Sequence, residues 1–102
     1  MLNKLKKSGL MAQSLLNVGH RNTVAADRVI AILSYNSAPV KRLKDDAKED
    51  NRLIDATFGR KTRSIIIMDS NHVVLSAIQE ETVVQRYSAL MEAQYKKRCG
   101  EE

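Results

Sequence analysis

Two neighbouring segments of uninterrupted apolar residues constrain the fold of this chain most. Residues 65–68 (IIIM) and 73–75 (VVL) are aliphatic throughout, and a tight turn at residues 70–71 is predicted between them. A strand with one face in water alternates apolar and polar residues, so continuous apolar strands need cover on both faces. We therefore expect two adjacent strands, 63–69 and 72–76, inside a sheet that is covered on both sides.

The other predicted strands are short. Residues 15–18, 28–33 and 53–56 have the β-branched and apolar character of strands, and residues 23–26 form either a further strand or a bend. Because tight turns join several of these segments, we expect a mainly antiparallel sheet.

Two helices complete the predicted α+β fold. The first covers residues 38–50, with Ser37 as its N-cap and Pro39 in its first turn. The second begins at about Glu80 and continues into the polar tail. Their apolar stripes are Val40, Leu43 and Ala47 in the first helix, and Val83, Val84, Tyr87, Leu90 and Met91 in the second.

A chain of 102 residues forms one domain. We expect a basic extension over residues 1–13, the folded domain over residues 14–88, and a helical to flexible tail over residues 89–102. If both helices cover one face of the sheet, a second subunit covers the other, which predicts a homo-oligomer. The alternative is that the N-terminal strands fold over that second face.

Enzymatic chemistry has little support in the sequence. His20 and His72 are far apart, and the single cysteine, Cys99, lies in the tail. We therefore expect no catalytic residue, no metal site and no cofactor. Glycines stand alone rather than in a phosphate-binding loop, so no small-molecule substrate is expected. The absence of a long apolar run or a signal peptide predicts a cytoplasmic protein without a membrane partner.

The basic segment 57–63 (TFGRKTR) is the strongest functional signal. Arg60, Lys61 and Arg63 crowd together there, without an acidic residue between Thr57 and Met68. Like charges at a turn repel one another, and DNA phosphates would relieve that repulsion. The alternative is a solvated hairpin tip.

Uncharged residues of the same segment fit a phosphate contact. Gly59 allows the backbone to approach a surface closely. The hydroxyls of Thr57 and Thr62 are expected to reach phosphate oxygens. Elsewhere, Arg28 opens an otherwise apolar strand, where Asp27 or Asp55 is the expected partner if its role is structural.

Residues 15–87 carry a family resemblance. The runs LLNVG, RVIAILS, SAPVKRL, LIDATFGRKTR, IIIMDS and HVVLSAIQEETVVQR, in this order and spacing, resemble the RemA-type regulators of extracellular matrix genes in bacteria. The resemblance implies a transcriptional activator of biofilm matrix and osmoprotection genes that binds double-stranded DNA. It also implies an about octameric, ring-shaped homo-oligomer.

The same resemblance assigns the DNA-binding residues. Arg28, Arg60 and Lys61 match positions implicated in DNA binding, and Arg63 belongs to the same motif. Lys61 replaces the usual arginine, which keeps the charge but loses the bidentate geometry of a guanidinium. Arg21 replaces the usual glycine of the first turn.

Two other functions remain open from the sequence. The first is an oligomeric protein-interaction scaffold without specific DNA binding. The second, RNA binding, is weaker, because Phe58 is the one aromatic residue near the basic segment that is available for base stacking.

Overall fold

The computed structural model of the protein describes residues 14–99, and the side chains of residues 14–93. Six strands, one 3-10 turn and two helices follow in chain order: β1 (Leu15–Gly19), β2 (Asn22–Ala25), the 3-10 turn (Ala26–Arg28), β3 (Val29–Ser34), α1 (Ala38–Glu49), β4 (Leu53–Asp55), β5 (Ser64–Met68), β6 (Val73–Ser76) and α2 (Glu80–Cys99). The predicted α+β fold is confirmed. The predicted basic extension lies outside the described residues, and α2 continues through most of the predicted tail.

Strands β3, β5, β6 and β4 form a four-stranded sheet in that order. The pairs β3–β5 and β5–β6 are antiparallel, while β4 runs parallel to β6 at one edge. Strands β1 and β2 form a separate antiparallel hairpin. The two continuous apolar strands therefore occupy the centre of the sheet, as their sequence predicts.

The connection between β5 and β6 is longer than the predicted tight turn. Met68 N donates to His72 O at 3.0 Å, so residues 69–71 form a three-residue loop. Asn71 closes the loop at φ 73°, a left-handed conformation that asparagine tolerates. The prediction of a two-residue turn at residues 70–71 is therefore wrong by one residue.

Alternate residues of β5 and β6 pack into two cores on opposite faces of the sheet. On one face, Ile65, Val73 and Leu75 pack with Ala47 of α1. On the other face, Ile66 and Val74 pack against the β1–β2 hairpin and α2. The buried hairpin and helix residues of that second core include Leu16, Val18 and Val83.

This arrangement corrects the argument for a second subunit. The helices lie on opposite faces of the sheet rather than on the same face, and the N-terminal hairpin joins α2. One chain thus covers both faces of the sheet. This agrees with the alternative prediction, in which the N-terminal strands fold over the second face. The buried strands alone therefore give no reason for an oligomer.

Four local predictions also differ from the structure. Leu43 (39% exposed) and Val84 (36% exposed) lie at the flanks of their helices rather than in a core. Ser37 precedes α1, but its side chain makes no capping hydrogen bond. Arg28 ends the 3-10 turn instead of opening β3.

No helix in the described part of the chain is long and apolar enough to cross a membrane.

Candidate functional site

Hydrogen bonds at one end of the four-stranded sheet draw several connecting segments together. Tyr35 N donates to Arg63 O at 3.0 Å, and Arg63 N donates to Ser76 O at 2.8 Å. Ala56 N donates to Leu75 O at 3.0 Å. We call this region the basic end. It comprises residues 19–22, 35–37, 56–63 and 77–79.

The basic segment 57–63 starts with a tight turn. Arg60 N donates to Thr57 O at 3.0 Å. The two residues inside this turn, Phe58 (φ 58°) and Gly59 (φ 79°), are both left-handed, as in a type I′ turn. Glycine adopts this conformation freely, whereas phenylalanine does so at a cost in free energy. The turn leaves Phe58 75% exposed.

The carboxylate of Asp55 fixes the start of the turn. Its Oδ1 accepts hydrogen bonds from Thr57 N at 2.9 Å and from Thr57 Oγ1 at 2.6 Å. Thr57 is buried, so its hydroxyl is committed to Asp55 and does not face solvent. The expectation that Thr57 reaches a phosphate is therefore wrong, whereas Thr62 does line a surface groove.

These hydrogen bonds lower the pKa of Asp55 from its ordinary value of 3.8. The hydroxyl of Thr57 has the largest effect and its backbone N–H the next, because both donate to the ionised carboxylate. Partial burial opposes the shift, and the charge of Lys44 adds to it. The turn is thus held best when Asp55 is ionised.

The β1–β2 hairpin brings a second turn to the basic end. His20 (φ 49°) and Arg21 (φ 67°) form its tip, and both are left-handed. The His20 ring stacks on the Phe58 ring, with 5.0 Å between the ring centroids and 11° between the ring planes. Two turns that are distant in sequence are therefore in contact, which the sequence reasoning missed.

Two buried serines attach the hairpin to the sheet. Ser76 Oγ donates to Val18 O at 2.8 Å and accepts from Ile78 N at 3.0 Å. Ser64 Oγ donates to Ile78 O at 2.8 Å. A side chain at Gly19 (φ 109°) would come within 3.2 Å of Ile78, so the hairpin approaches this connection closely. These contacts fix the position of the hairpin tip beside the basic segment.

The cations of the basic end form no salt bridge among the described residues. Arg21, Arg60, Lys61 and Arg63 are exposed. Within residues 14–93, the ion pairs and side-chain hydrogen bonds include none of these four side chains. Nearby, a groove of about 360 Å³ has Lys61, Thr62 and Arg63 on one side. Gln79 and the first two residues of α2, Glu80 and Glu81, also line this groove, so two acidic side chains share it with Lys61 and Arg63.

Arg28 lies elsewhere, at the opposite end of the sheet. Its Nη1 is 3.3 Å from Asp69 Oδ2, and Asp69 N donates to Arg28 O at 2.8 Å. Asp69, rather than Asp27 or Asp55, is thus its partner. Because Arg63 and Asp69 flank the five-residue strand β5, the basic segment and Arg28 are about 20 Å apart along the sheet.

A second arginine is also paired at that end. Arg52 Nη2 contacts Asp50 Oδ2 at 3.0 Å, and Arg52 Nη1 donates to Asn71 O at 2.7 Å. We call this region the paired end. It comprises Arg28, residues 50–52 and residues 69–72. Of the four predicted site residues, the structure thus brings Arg60, Lys61 and Arg63 together and places Arg28 apart from them.

Comparison with known proteins gives one family and closely related sequences. Residues 15–87 match the model of the family described as extracellular matrix regulatory protein A-like, or RemA-like. Proteins with the name "Putative regulatory protein" are 66% identical in Fervidobacterium nodosum, 62% in Desulfatibacillum aliphaticivorans and 64% in Thermotoga maritima. The alignments cover 72%, 76% and 72% of this chain, and 78%, 88% and 79% of the respective relatives.

Proposed function

The chain belongs to the RemA-like family of extracellular matrix regulatory proteins, and we propose that it binds double-stranded DNA through its basic end as a transcriptional regulator. The family and the names of its relatives indicate a regulatory protein rather than an enzyme. DNA as the target, genes for biofilm matrix as the regulated set and the cytoplasm as the location are parts of the proposal.

The observation that carries the proposal is the cluster of cations without a salt bridge on the basic segment 57–63. Arg60, Lys61 and Arg63 are all exposed there, and the segment contains no acidic residue. Neutralising a phosphate with such a cation releases condensed counterions, which favours binding. Contacts of this kind position a protein on DNA without reading its sequence.

Arg28 has a separate place in the proposal. A span of about 20 Å along β5 corresponds to roughly six base pairs of B-DNA, at 3.4 Å per step. A duplex lying along the sheet would therefore meet Arg28 and the basic segment at different phosphates. Arg28 is well exposed and its partner Asp69 is also accessible, so a phosphate can replace that carboxylate.

The proposal includes assembly into an about octameric ring. Apolar residues are exposed on both edge strands of the sheet, with Ile30 64% exposed on β3 and Ile54 47% exposed on β4. Because the two edges carry different patches, the β3 edge of one subunit could contact the β4 edge of the next. Such head-to-tail contacts form a ring when the rotation between neighbouring subunits closes after a whole number of copies. Repetition around a ring would add avidity to weak contacts at each basic end.

The same edges favour a second candidate, an assembly that recruits proteins without binding DNA. Its basic end would then be only a solvated surface. The two candidates differ in their affinity for a duplex at low salt, while both predict a homo-oligomer.

A salt titration of DNA binding tests the proposal. We expect the slope of log affinity against log salt concentration to become shallower in Arg60→Ala/Lys61→Ala by about 2 for each basic end that contacts the duplex, because two phosphate contacts are lost at each. Fluorescence anisotropy with a labelled duplex gives the slope. Lys48→Ala, which removes an exposed cation from the far end of α1, should keep the wild-type slope.

Light scattering on the same proteins completes the test. The double variant should keep the wild-type mass, so that weaker binding is not a result of disassembly. Absence of wild-type binding at low salt would contradict DNA binding and leave the scaffold. An unchanged slope in the double variant would contradict the site.

A further inference from the structure

We propose that the hairpin tip at residues 19–22 is a second DNA-contacting element, in which Arg21 binds a backbone phosphate and Phe58 positions it. This inference rests on the proposed function and adds residues to its site. The hairpin tip holds His20 and Arg21, both exposed and both in a left-handed backbone conformation.

The backbone of Arg21 is costly for an arginine. Its φ of 67° lies in the left-handed region, which glycine enters freely and which branched or long side chains avoid. His20, at φ 49°, carries the same cost immediately before it. The two-residue turn between β1 and β2 requires this conformation at both positions, so the hairpin imposes it on a residue that such turns do not favour.

The Phe58–His20 stack explains how Arg21 is placed. Phe58 is left-handed and largely exposed, so its ring contributes little to the core. Its described aromatic contact is the His20 ring, with 5.0 Å between centroids. Arg21 directly follows His20, and Arg60 follows Phe58 by two residues. The stack therefore fixes the separation between the cations of the two turns.

The charge of the two turns identifies the ligand class. They contribute Arg21, Arg60, Lys61 and Arg63, and no carboxylate interrupts them. A row of phosphates along one nucleic-acid strand matches several cations held at fixed separation. An acidic peptide would offer carboxylates instead and is the competing partner in the test below.

The substitution Arg21→Gly tests the contact. It removes one cation and relieves the left-handed strain, so the variant should fold at least as well as wild type, with an unchanged or higher melting temperature. We expect its salt-dependence slope for duplex binding to be shallower by about 0.9 for each basic end that contacts the duplex, the value for one phosphate contact on B-DNA. Arg21→Lys should restore the wild-type slope.

Lys48→Ala is the matched control, because it also removes one exposed positive charge. Its slope should equal that of wild type. If Arg21→Gly gives the wild-type slope while Arg60→Ala makes it shallower, this inference is overturned and the proposed function stands. If wild type binds no duplex at low salt, the proposed function itself fails. Binding to polyglutamate in place of the duplex would also overturn the phosphate assignment.

Phe58→Asn tests the positioning role. Asparagine tolerates the left-handed conformation and leaves every charge in place, but it removes the stacked ring. In this background, Arg21→Gly should change the slope by less than half of its effect in the wild-type background, since the arginine is no longer held. An equal effect in both backgrounds would overturn the positioning role of Phe58, even if Phe58→Asn lowers the melting temperature.

Discussion

At the paired end of the sheet, Arg28 and Arg52 have carboxylate partners at 3.3 and 3.0 Å. At the basic end, Arg21 and the cations of residues 60–63 have no such partner within residues 14–93. One chain thus pairs its arginines with carboxylates at one end and leaves the cations at the other end without a salt bridge. Unpaired like charges destabilise a surface, so the basic end is the one that a bound phosphate would stabilise more under the proposed function.

The two ends also differ in which residues adopt a left-handed backbone conformation. The left-handed residues of the paired end are Asn51 and Asn71, and asparagine tolerates that conformation. At the basic end, the corresponding residues besides glycine are His20, Arg21 and Phe58. Strain of this kind persists where the surrounding structure enforces it, and it is frequent at functional sites. The two ends therefore differ in strain as well as in charge.

Removing a serine hydroxyl at each end should give the largest contrast in stability. Ser76→Ala leaves Val18 O and Ile78 N without their buried partner, which should lower the free energy of unfolding by about 1–3 kcal/mol. Ser70→Ala removes only an exposed hydrogen bond to His72 and should change it by less than about 0.5 kcal/mol. Urea unfolding measures both. Equal losses would mean that the buried serine is not what attaches the hairpin.

Removing one cation from each end should change the free energy of unfolding by a smaller amount, and in opposite directions at the two ends. Arg28→Ala loses an exposed ion pair and should lower the free energy of unfolding by up to about 1 kcal/mol. Lys61→Ala relieves repulsion and should raise it by a few tenths of a kcal/mol, on the order of an exposed like-charge pair.

Salt provides the control for this pair of variants. The changes in the free energy of unfolding of both variants should become smaller in about 1 M salt, where the screening length is about 3 Å. A stabilising effect of Arg28→Ala at low salt would contradict the assignment of charges to paired and unpaired ends.

The smallest expected effect is a pH dependence at the basic end. The pKa of Asp55 is lowered on folding, so its stabilising contribution is complete above the unfolded value of 3.8 and is lost as pH falls below it, through the lower folded value. Asp55→Asn should therefore be less stable than wild type at about pH 6, and the difference should narrow at about pH 3. Urea unfolding at both pH values measures it. A constant difference would contradict the role of the ionised carboxylate.

Much of the fold could be predicted from the sequence, because its signals are local. The continuous apolar runs of β5 and β6 place these strands at the centre of the sheet. Pro39 in the first turn of α1 and the start of α2 at Glu80 are also confirmed. The side of the sheet that each helix covers has no local signal, so the two helices were expected on one face.

The candidate site could be predicted only where its residues are adjacent in the sequence, because contacts between distant segments leave no local signal. The cluster of Arg60, Lys61 and Arg63 is contiguous in sequence and stays together in the structure. The Phe58–His20 stack joins two turns through the fold, and no local pattern marks it. The hydrogen bond from Thr57 did have a signal, since an aspartate two residues earlier is typical of an Asx turn.

The bulge in β3 has a consequence for how copies of this chain can meet. Val29 and Ala31 pair with successive residues of β5, so Ile30 is an extra residue in an edge strand. Such irregular edges resist continuation of the sheet by a strand from another molecule. Contact between copies at this edge then depends on side-chain fit, which a single substitution can abolish. The same irregularity hinders open-ended fibril growth from this edge of the sheet.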